Sequence, residues 1–505
     1  MAPISAVRSH RWRMHILLVY PEFPDTFWSF KYALRFIRKQ ASSPPLGLIT
    51  VAAMLPRTWE RRLVDLNVRD LTEQDLAWAD LAFVSAMQVQ LDSARRVVAR
   101  CKQAGVRVVA GGPLFTCEPE RLEGVDHYVL NEAELTLPPF LADLERGVAK
   151  PVYSSSEFAD LSNTPVPEWK LLDLNRYASM SLQYSRGCPY SCDFCNVTVL
   201  FGHRPRGKSA EQIVAELESL YAAGWRGSVF FVDDNFIGNR KELKAEILPA
   251  LIAWRQGRKD LPFNTEVTIN LADDEDLLDQ MVRAGFDSVF VGIETPDEKG
   301  LAECHKLQNR GRDLVESVRR IQRRGLRVQA GFIVGFDSDT PSIFQRQIEF
   351  IQKTGIVTAM VGLLQAPYGT QLYQRLHREG RLRGPLSGDN VDGWTNIIPK
   401  MELSALREGY KRILTEIYSP KQFYERVRTF LREYRLPQAR VPFELEYLLA
   451  FARSIYQLGI RGAERVQYWK LFFWALLRRP RLFPLAITLS IYGFHFRKVS
   501  ELHVQ

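Results

Sequence analysis

The chain has little histidine, 8 of 505 residues, and little cysteine, 6. Cys101, Cys117 and Cys304 are scattered and the other three crowd into one loop, so no disulfide framework is laid out and a reducing cytoplasm is implied. Long apolar runs are missing too. Leu482 to Phe496 (LFPLAITLSIYGFHF) has fifteen residues, against the roughly 20 that a bilayer-spanning helix needs. The N-terminus carries Arg8, Arg11 and Arg13 ahead of Ile16 to Val19, but lacks the longer apolar core and the small-residue cleavage site of a signal peptide; residues 1–14 read as a ragged tail. No Ser-His-Asp or Cys-His constellation stands out, and Tyr184, Cys304 and His305 are too weakly placed for catalytic roles. No RNA-binding motif accompanies the net charge of +9. The excess lies at Arg319 to Arg327 and in the last hundred residues beside apolar helices, which suits the inner face of an anionic membrane and gives no support to a nucleic-acid partner.

What is present is globular. Charged residues are 25% and hydrophobic ones 46%, which excludes disorder and a collagen-like repeat, and the length suggests about three domains. The chain is organised around Cys188-Pro-Tyr-Ser-Cys192-Asp-Phe-Cys195, directly after the strand-like run Met180 to Ser185. Structural zinc takes four ligands and no fourth Cys or His continues this loop at such a spacing. A disulfide within so short a loop is strained. An iron-sulfur cube tolerates three cysteinyl irons and one open iron, where a substrate completes the coordination. The arrangement CxxxCxxC with an aromatic residue before the last Cys resembles the signature of the radical S-adenosylmethionine (SAM) enzymes. The resemblance implies a 4Fe-4S cluster on Cys188, Cys192 and Cys195, with SAM at the open iron.

Ahead of this loop the chain alternates strands and helices. His15 to Tyr20, Arg62 to Val68, Leu81 to Ser85, Val106 to Ala110 and Tyr128 to Leu130 read as buried parallel strands, with helices at Pro45 to Leu55 and Ser93 to Gln103. The pattern predicts an α/β, doubly wound parallel sheet over residues 15–150 that binds ligands beyond the carboxyl ends of its strands. Ser85 and Met87 stand at one such end, Gly111, Gly112 and Pro113 at another, where two residues without Cβ let a ligand lie against the backbone. Asn131 to Glu134 follow a third. Together these resemble the cobalamin-binding domain that precedes many radical SAM domains. The DxHxxG motif that supplies a histidine to cobalt is absent, and Asn67 to Leu71 (NVRDL) occupies the corresponding loop, which implies base-off cobalamin without a protein histidine. His127 reads as a solvated or core residue. The bland alternative is a flavodoxin-like domain that binds nothing.

Residues 151–178, rich in Ser and Pro, read as a linker. A second βα series over 179–400 opens with the cysteine loop and a capping box at Ser209 and Gln212, then shows strands at Ser228 to Val232, Phe263 to Ile269, Ser288 to Ile293, Val328 to Val334 and Val357 to Leu364. Six βα units in so few residues predict a partial (β/α)6 TIM-like barrel with its working residues at the carboxyl ends of the strands. There stand Asp233 and Asp234, Glu266 with Asn270, Glu294, the run Gly331 to Gly335, and Gln365 to Pro367. Carboxylates at enclosed positions need partners, and SAM supplies an ammonium and ribose hydroxyls. By resemblance, Asp233 and Asp234 stand where the family has a GGE-like segment on the methionyl amine, and the strand ending at Gly335 lies against adenine. Arg204, Arg206 and Lys208 suit either a SAM carboxylate or solvent.

From 401 to 505 the alternation gives way to a C-terminal helical region, for example Leu403 to Tyr418 and Phe443 to Tyr456. Its apolar runs Trp469 to Leu477 and Leu482 to Phe496, flanked by arginines, suit packing on the barrel or interfacial contact better than spanning. With YSRGCPYSCDFC, FFVDDNFIGN, VGIETP and VGF, nearly the whole chain resembles the cobalamin-dependent radical SAM subgroup that includes the hopanoid C-2 methylases. That resemblance implies a C-methyltransferase acting through a 5′-deoxyadenosyl radical and methylcobalamin on a small molecule, lipid or polycyclic, with a flavodoxin- or ferredoxin-type electron donor. A cobalamin-dependent radical cyclase or oxidoreductase would carry the same motifs. A methylthiotransferase needs a further cysteine set that Cys101 and Cys117 do not make, and a non-catalytic cobalamin sensor has no need of the barrel-end acids.

Overall fold

Runs dense in Ile, Leu and Val become central strands because a parallel sheet buries both faces of each strand. In the computed structural model, which describes residues 13–258, 261–436 and 445–504, the chain forms two units. The first comprises residues up to Glu22 and Pro45–Leu172, the second Phe23–Pro44 and Asp173 onward. The tail arginines Arg8 and Arg11 lie outside the described residues.

The first unit is built on β1 (His15–Tyr20), β2 (Glu60–Asp65), β3 (Leu81–Ser85), β4 (Arg107–Gly111), β5 (His127–Val129) and β6 (Val152–Tyr153). All pair in parallel in the order β2-β1-β3-β4-β5-β6. The order reverses at β1, so the crevice between β1 and β3 is the switch point where such sheets bind ligands. β2 starts earlier than the sequence suggested and stops at Asp65, whose Oδ1 accepts from the Asn67 backbone N–H at 2.9 Å and turns the chain. β6 arises from the stretch read as a linker: Val152 pairs with Tyr128 at the sheet edge, and the chain as far as Leu172 belongs to this unit.

The second unit carries β7 (Ser179–Leu182), the two-residue β8 (Ser185–Arg186) and β9 (Arg206–Gly207), then β10 (Ser228–Phe231), β11 (Phe263–Val267), β12 (Phe286–Glu294), β13 (Arg327–Val334) and β14 (Ala359–Leu363). Six of these form one parallel sheet in the order β14-β13-β12-β11-β10-β7, the arrangement of a partial (β/α)6 barrel. The helix Ala210–Ala222 opens on the expected box, with Ser209 accepting from the Gln212 N–H and Gln212 from the Ser209 N–H. The strand expected over Met180 to Ser185 is interrupted: Tyr184 and Ser185 donate their N–H groups to Asp233, and the chain resumes as β8, antiparallel to β9. That short ribbon brackets the cysteine loop.

The C-terminal region forms the helices Leu403–Ile417, Pro420–Glu433, Leu445–Ser454, Arg465–Arg478 and Phe483–Val504, with a π-helical segment at Ile455–Arg461. Phe443 and Glu444 of the expected helix lie outside the described residues. The helix Phe483–Val504 packs on the early helix Lys31–Ile37: Phe27 stacks on Phe496 at 4.2 Å between ring centroids, and His495 Nε2 donates to Phe27 O at 3.0 Å. Among the described residues no helix is long and apolar enough to cross a membrane.

Candidate active site

The cysteine loop is held open by backbone geometry on one side and by side chains on the other. Gly187 sits at φ +95°, and a Cβ there would come within 2.8 Å of Arg204 O, so only glycine lets the loop start. Cys188 N donates to Gly202 O (3.2 Å), Asp193 N to Cys304 O (3.2 Å) and Leu372 N to Asp193 O (2.9 Å). Tyr190 OH accepts from Asn270 Nδ2 at 2.7 Å, tying the loop to the end of β11. The three thiols are partly buried and unbonded. Burial pushes the Cys188 thiol up and the Cys195 thiol up to about 12, with Cys192 close enough to add to both.

Two amides aim at these sulfurs. Gln308 Nε2 lies 3.7 Å from Cys192 Sγ and Asn235 Nδ2 4.0 Å from Cys188 Sγ, while Gln308 Oε1 and Asn235 Oδ1 are buried without a protein partner. Amide donors on cluster sulfurs are a means of tuning an iron-sulfur potential. Among the described residues no three His, Cys, Asp or Glu side chains converge on a single ion; the donor set present, three thiols with amide donors around them, has the chemistry of a polynuclear iron-sulfur ligand shell. Neither amide stands out in the sequence as a neighbour of the thiols, since Gln308 lies 116 residues beyond Cys192.

The barrel-end acids divide into two groups. Asp233 is fully occupied within the chain: it accepts from Tyr184 N (3.0 Å), Ser185 N and Ser185 Oγ (2.6 Å), so it fixes the approach to the cysteine loop and has no oxygen turned to a ligand. Burial raises its pKa to about 6. Glu294 is also engaged, through a 2.6 Å contact between its Oε1 and Lys306 Nζ. It adopts φ +62°, unusual for a residue with a side chain, at a register shift between β12 and β13. Gly292 makes room for this pair, since a Cβ there would lie 2.2 Å from Glu294 Oε1 and 2.6 Å from Lys306 Nζ.

Asp234 and Glu266 form the other group. Both are partly buried, and neither carboxylate has a hydrogen-bonded cation among the described residues. Burial, then Asp233, pushes Asp234 up to about 7; burial, then Asp234, pushes Glu266 up to about 8. Lys306 is near enough to act on Glu266 and on the thiols, and Asp234 near enough to act on Glu266, Cys188 and Cys195, so these groups are electrostatic neighbours. Two acids with no hydrogen-bonded cation among the described residues, beside a thiol cluster, fit a ligand with an ammonium and hydroxyls. Lys306 was missed by sequence reasoning; its signal is weak, a lone basic residue twelve positions past Glu294.

Other expectations need correction. Lys208 is neither solvated nor free for a carboxylate of SAM: it is buried against Glu216. Arg206 donates to Phe201 O (3.1 Å), and Arg204 alone of the three is exposed. Gly331 in β13 and Gly335 just past its end also have neighbours within the chain. Gly331 lets the Phe290 ring approach to 3.0 Å from where a Cβ would stand, and Gly335, at φ +106°, turns the chain so that its N–H reaches Asp339 Oδ2 at 2.8 Å.

In the first unit Ser85, Met87, Gly111, Gly112 and Pro113 gather at the carboxyl ends of β3 and β4. Met87 is exposed, while Ser85, Gly111, Gly112 and Pro113 are partly buried. The glycines have an internal reason: a Cβ on Gly111 would lie 2.7 Å from Val129 O, and one on Gly112, at φ +92°, 2.6 Å from Ser85 Oγ. The room they spare is therefore taken by the chain's own atoms. Asn67 braces its loop, donating to Pro21 O (3.2 Å) and Asp65 Oδ1 (2.7 Å), and His127 Nδ1 meets Lys150 O at 2.8 Å. An exposed thioether at the strand ends of a parallel sheet, with no histidine on the Asn67 loop, fits cobalamin held without a protein imidazole.

The comparisons with known proteins follow the same division. The radical SAM superfamily matches residues 182–351, a B12 binding domain residues 39–141, and a domain of unknown function (DUF4070) residues 370–505. An uncharacterized methyltransferase of Synechocystis sp. is 41% identical over 497 residues, 97% of this chain and 92% of that protein. The hopanoid C-2 methylase of Rhodopseudomonas palustris is 34% identical over 483 residues, 92% of this chain and 89% of that protein. Among solved structures, OxsB, a cobalamin-dependent SAM radical enzyme with aqua-cobalamin and SAM bound, matches 96% of this chain and 79% of its own at a TM-score of 0.61 and 14% identity. The radical SAM methyltransferase TsrM of Kitasatospora setae, with cobalamin and a 4Fe-4S cluster bound, matches 96% of this chain and 100% of its own at 0.58 and 15% identity. Both share the fold. With full-length relatives at this identity and both cofactor domains in order, the chain belongs to the cobalamin-dependent radical SAM methyltransferase family that includes the hopanoid C-2 methylases.

Proposed function

We propose that the protein methylates an unactivated carbon of an apolar small molecule, a membrane-borne lipid or polycyclic metabolite, by radical chemistry. With a 4Fe-4S cluster, SAM and cobalamin bound, the cofactors would supply the hydrogen-abstracting radical and the transferred methyl group, at the expense of two SAM and of electrons from a flavodoxin- or ferredoxin-type donor.

The chain's own part is positional. Cys188, Cys192 and Cys195 hold the irons, and Asn235 and Gln308 donate toward the sulfurs. Asp234 and Glu266 would receive the ammonium and hydroxyls of SAM. Asp233 fixes the loop through Tyr184 and Ser185. Lys306, held by Glu294, sets a positive charge beside the thiols and lowers the cost of their ionised form. In the first unit the strand ends at Ser85, Met87, Gly111, Gly112 and Pro113 would hold the cobalamin.

One observation carries this reading: Asp234 and Glu266, two carboxylates with no hydrogen-bonded cation among the described residues, stand beside three unbonded thiols. The apolar substrate is supported by the similarity to a hopanoid C-2 methylase and by the apolar C-terminal helices. Gene deletion with a labelled methyl donor should remove a methylated species from the lipid extract; loss from the aqueous extract alone would refute the substrate class. In the reconstituted reaction, 5′-deoxyadenosine and S-adenosylhomocysteine should form in equal amounts per methylated product. Formation of 5′-deoxyadenosine without S-adenosylhomocysteine would replace methylation by cyclisation or oxidation.

A further inference from the structure

The helix Arg465–Arg478 is apolar on two opposite sides. Its inner side is spent on packing: Tyr468, Leu471 and Ala475 are buried, and the Tyr468 hydroxyl shares a 2.9 Å hydrogen bond with Ser454 Oγ. On the outer side Val466, Lys470, Phe473 and Leu477 follow the spacing i, i+4, i+7, i+11, which puts them on one ridge. Val466, Phe473 and Leu477 are 57, 54 and 78% exposed, and Leu476 beside them is exposed too. The patch continues onto the π-helical segment, where Ile460 is exposed next to Gly459, whose carbonyl accepts from Trp469 Nε1 at 3.0 Å. A ridge with the spacing of a buried stripe and no cover from the described residues marks an interaction surface.

Charge selects the occupant. Between Ile455 and Leu482 the basic residues are Arg461, Arg465, Lys470, Arg478, Arg479 and Arg481, and the one acid, Glu464, is buried and taken by Arg497 at 2.7 Å. Arg465, Lys470, Arg478 and Arg481 are exposed, and among the described residues none of the four has an acidic partner. Elsewhere in the same region Arg428, Arg497 and Lys498 each find a glutamate. A symmetric contact between two copies would press cation against cation. An apolar ridge rimmed by unpaired cations is complementary to anionic headgroups over acyl chains.

We propose that the outer ridge Val466, Phe473 and Leu477, with the cations around it, docks the protein peripherally onto an anionic phospholipid bilayer. This goes beyond the reaction proposed above, and its test does not read methylation. Holoenzyme is sedimented with vesicles of phosphatidylcholine alone and of equal parts phosphatidylcholine and phosphatidylglycerol, at low and high salt. Wild type should bind the anionic vesicles and be released by salt. The double variant Phe473→Glu/Leu477→Glu should bind about tenfold less or worse, with oligomeric state and 5′-deoxyadenosine formation from SAM unchanged. Arg478→Gln/Arg481→Gln should weaken binding and flatten its salt dependence. The proposal is overturned if wild type does not sediment with anionic vesicles, if both variants bind as wild type does, or if the Glu variants split an oligomer while vesicle binding persists.

Discussion

Glu266 offers a test in which stability and function move in opposite directions. Burial and the charge of Asp234 raise its pKa from 4.5 to about 8 when no ligand is bound. The unfolded chain ionises this group above 4.5 while the folded chain keeps it protonated to about 8, so folding stability falls as pH rises through that window. At 1.36 kcal/mol per pH unit the loss has a ceiling of about 5 kcal/mol, and solvent reaching the partly exposed Glu266 side chain reduces it to about 2–3 kcal/mol. Glu266→Gln removes the ionisation and keeps the shape. Urea unfolding of cluster-free, SAM-free protein at pH 4 and pH 8.5 should show the variant matching wild type at the lower pH and exceeding it by about 2–3 kcal/mol at the higher. The same variant, reconstituted with its cluster, should lose most of its SAM cleavage because the carboxylate that meets the ligand is gone. Equal stability at pH 8.5, or undiminished 5′-deoxyadenosine, would refute the assignment of Glu266 as a carboxylate held for a cation.

Ala in place of Cys188, Cys192 or Cys195 should abolish 5′-deoxyadenosine formation, and the triple variant should lose its iron and sulfide; full iron with normal cleavage in that protein would remove the cluster assignment. Lys306→Met leaves Glu294 buried and unpaired and should cost about 3–5 kcal/mol in unfolding free energy, which Glu294→Gln in the same chain largely restores; equal midpoints for single and double variants would show that the pair is not coupled. His495, buried with its pKa lowered to about 4, destabilises the protein as pH falls from 6.5 toward 4, by up to about 3 kcal/mol. His495→Gln keeps a donor for Phe27 O and should flatten that acid limb of the unfolding curve; an unchanged limb would show that another group sets it. Gly112→Ala should lower the stability of the first unit even without cobalamin, because the new Cβ meets Ser85 Oγ and the φ of +92° is strained; a stable variant that loses only cobalamin would restore the ligand-clearance reading.

Much of this fold is legible in the sequence because its strands are buried and its cluster loop is local. LAFVS became β3 without a shift at either end, and the capping box at Ser209 formed as its spacing implies. Cys188, Cys192 and Cys195 depend only on positions within one loop. The partners of those residues do not. Ser185 and Asp233 are 48 residues apart and meet because β7 and β10 are neighbours in register, Leu182 opposite Phe231. Glu294 meets Lys306 because a register shift at the end of β12 swings its side chain toward the loop. In a barrel the polar groups at the strand ends come from different strands, so strand order and register decide which acids are already paired. Sequence alone thus identifies an acid as standing at a strand end, as it did equally for Asp233, Asp234, Glu266 and Glu294. Only the register separates the two engaged within the chain, Asp233 and Glu294, from the two with no hydrogen-bonded cation among the described residues, Asp234 and Glu266, and that distinction turns a list of carboxylates into a candidate binding site.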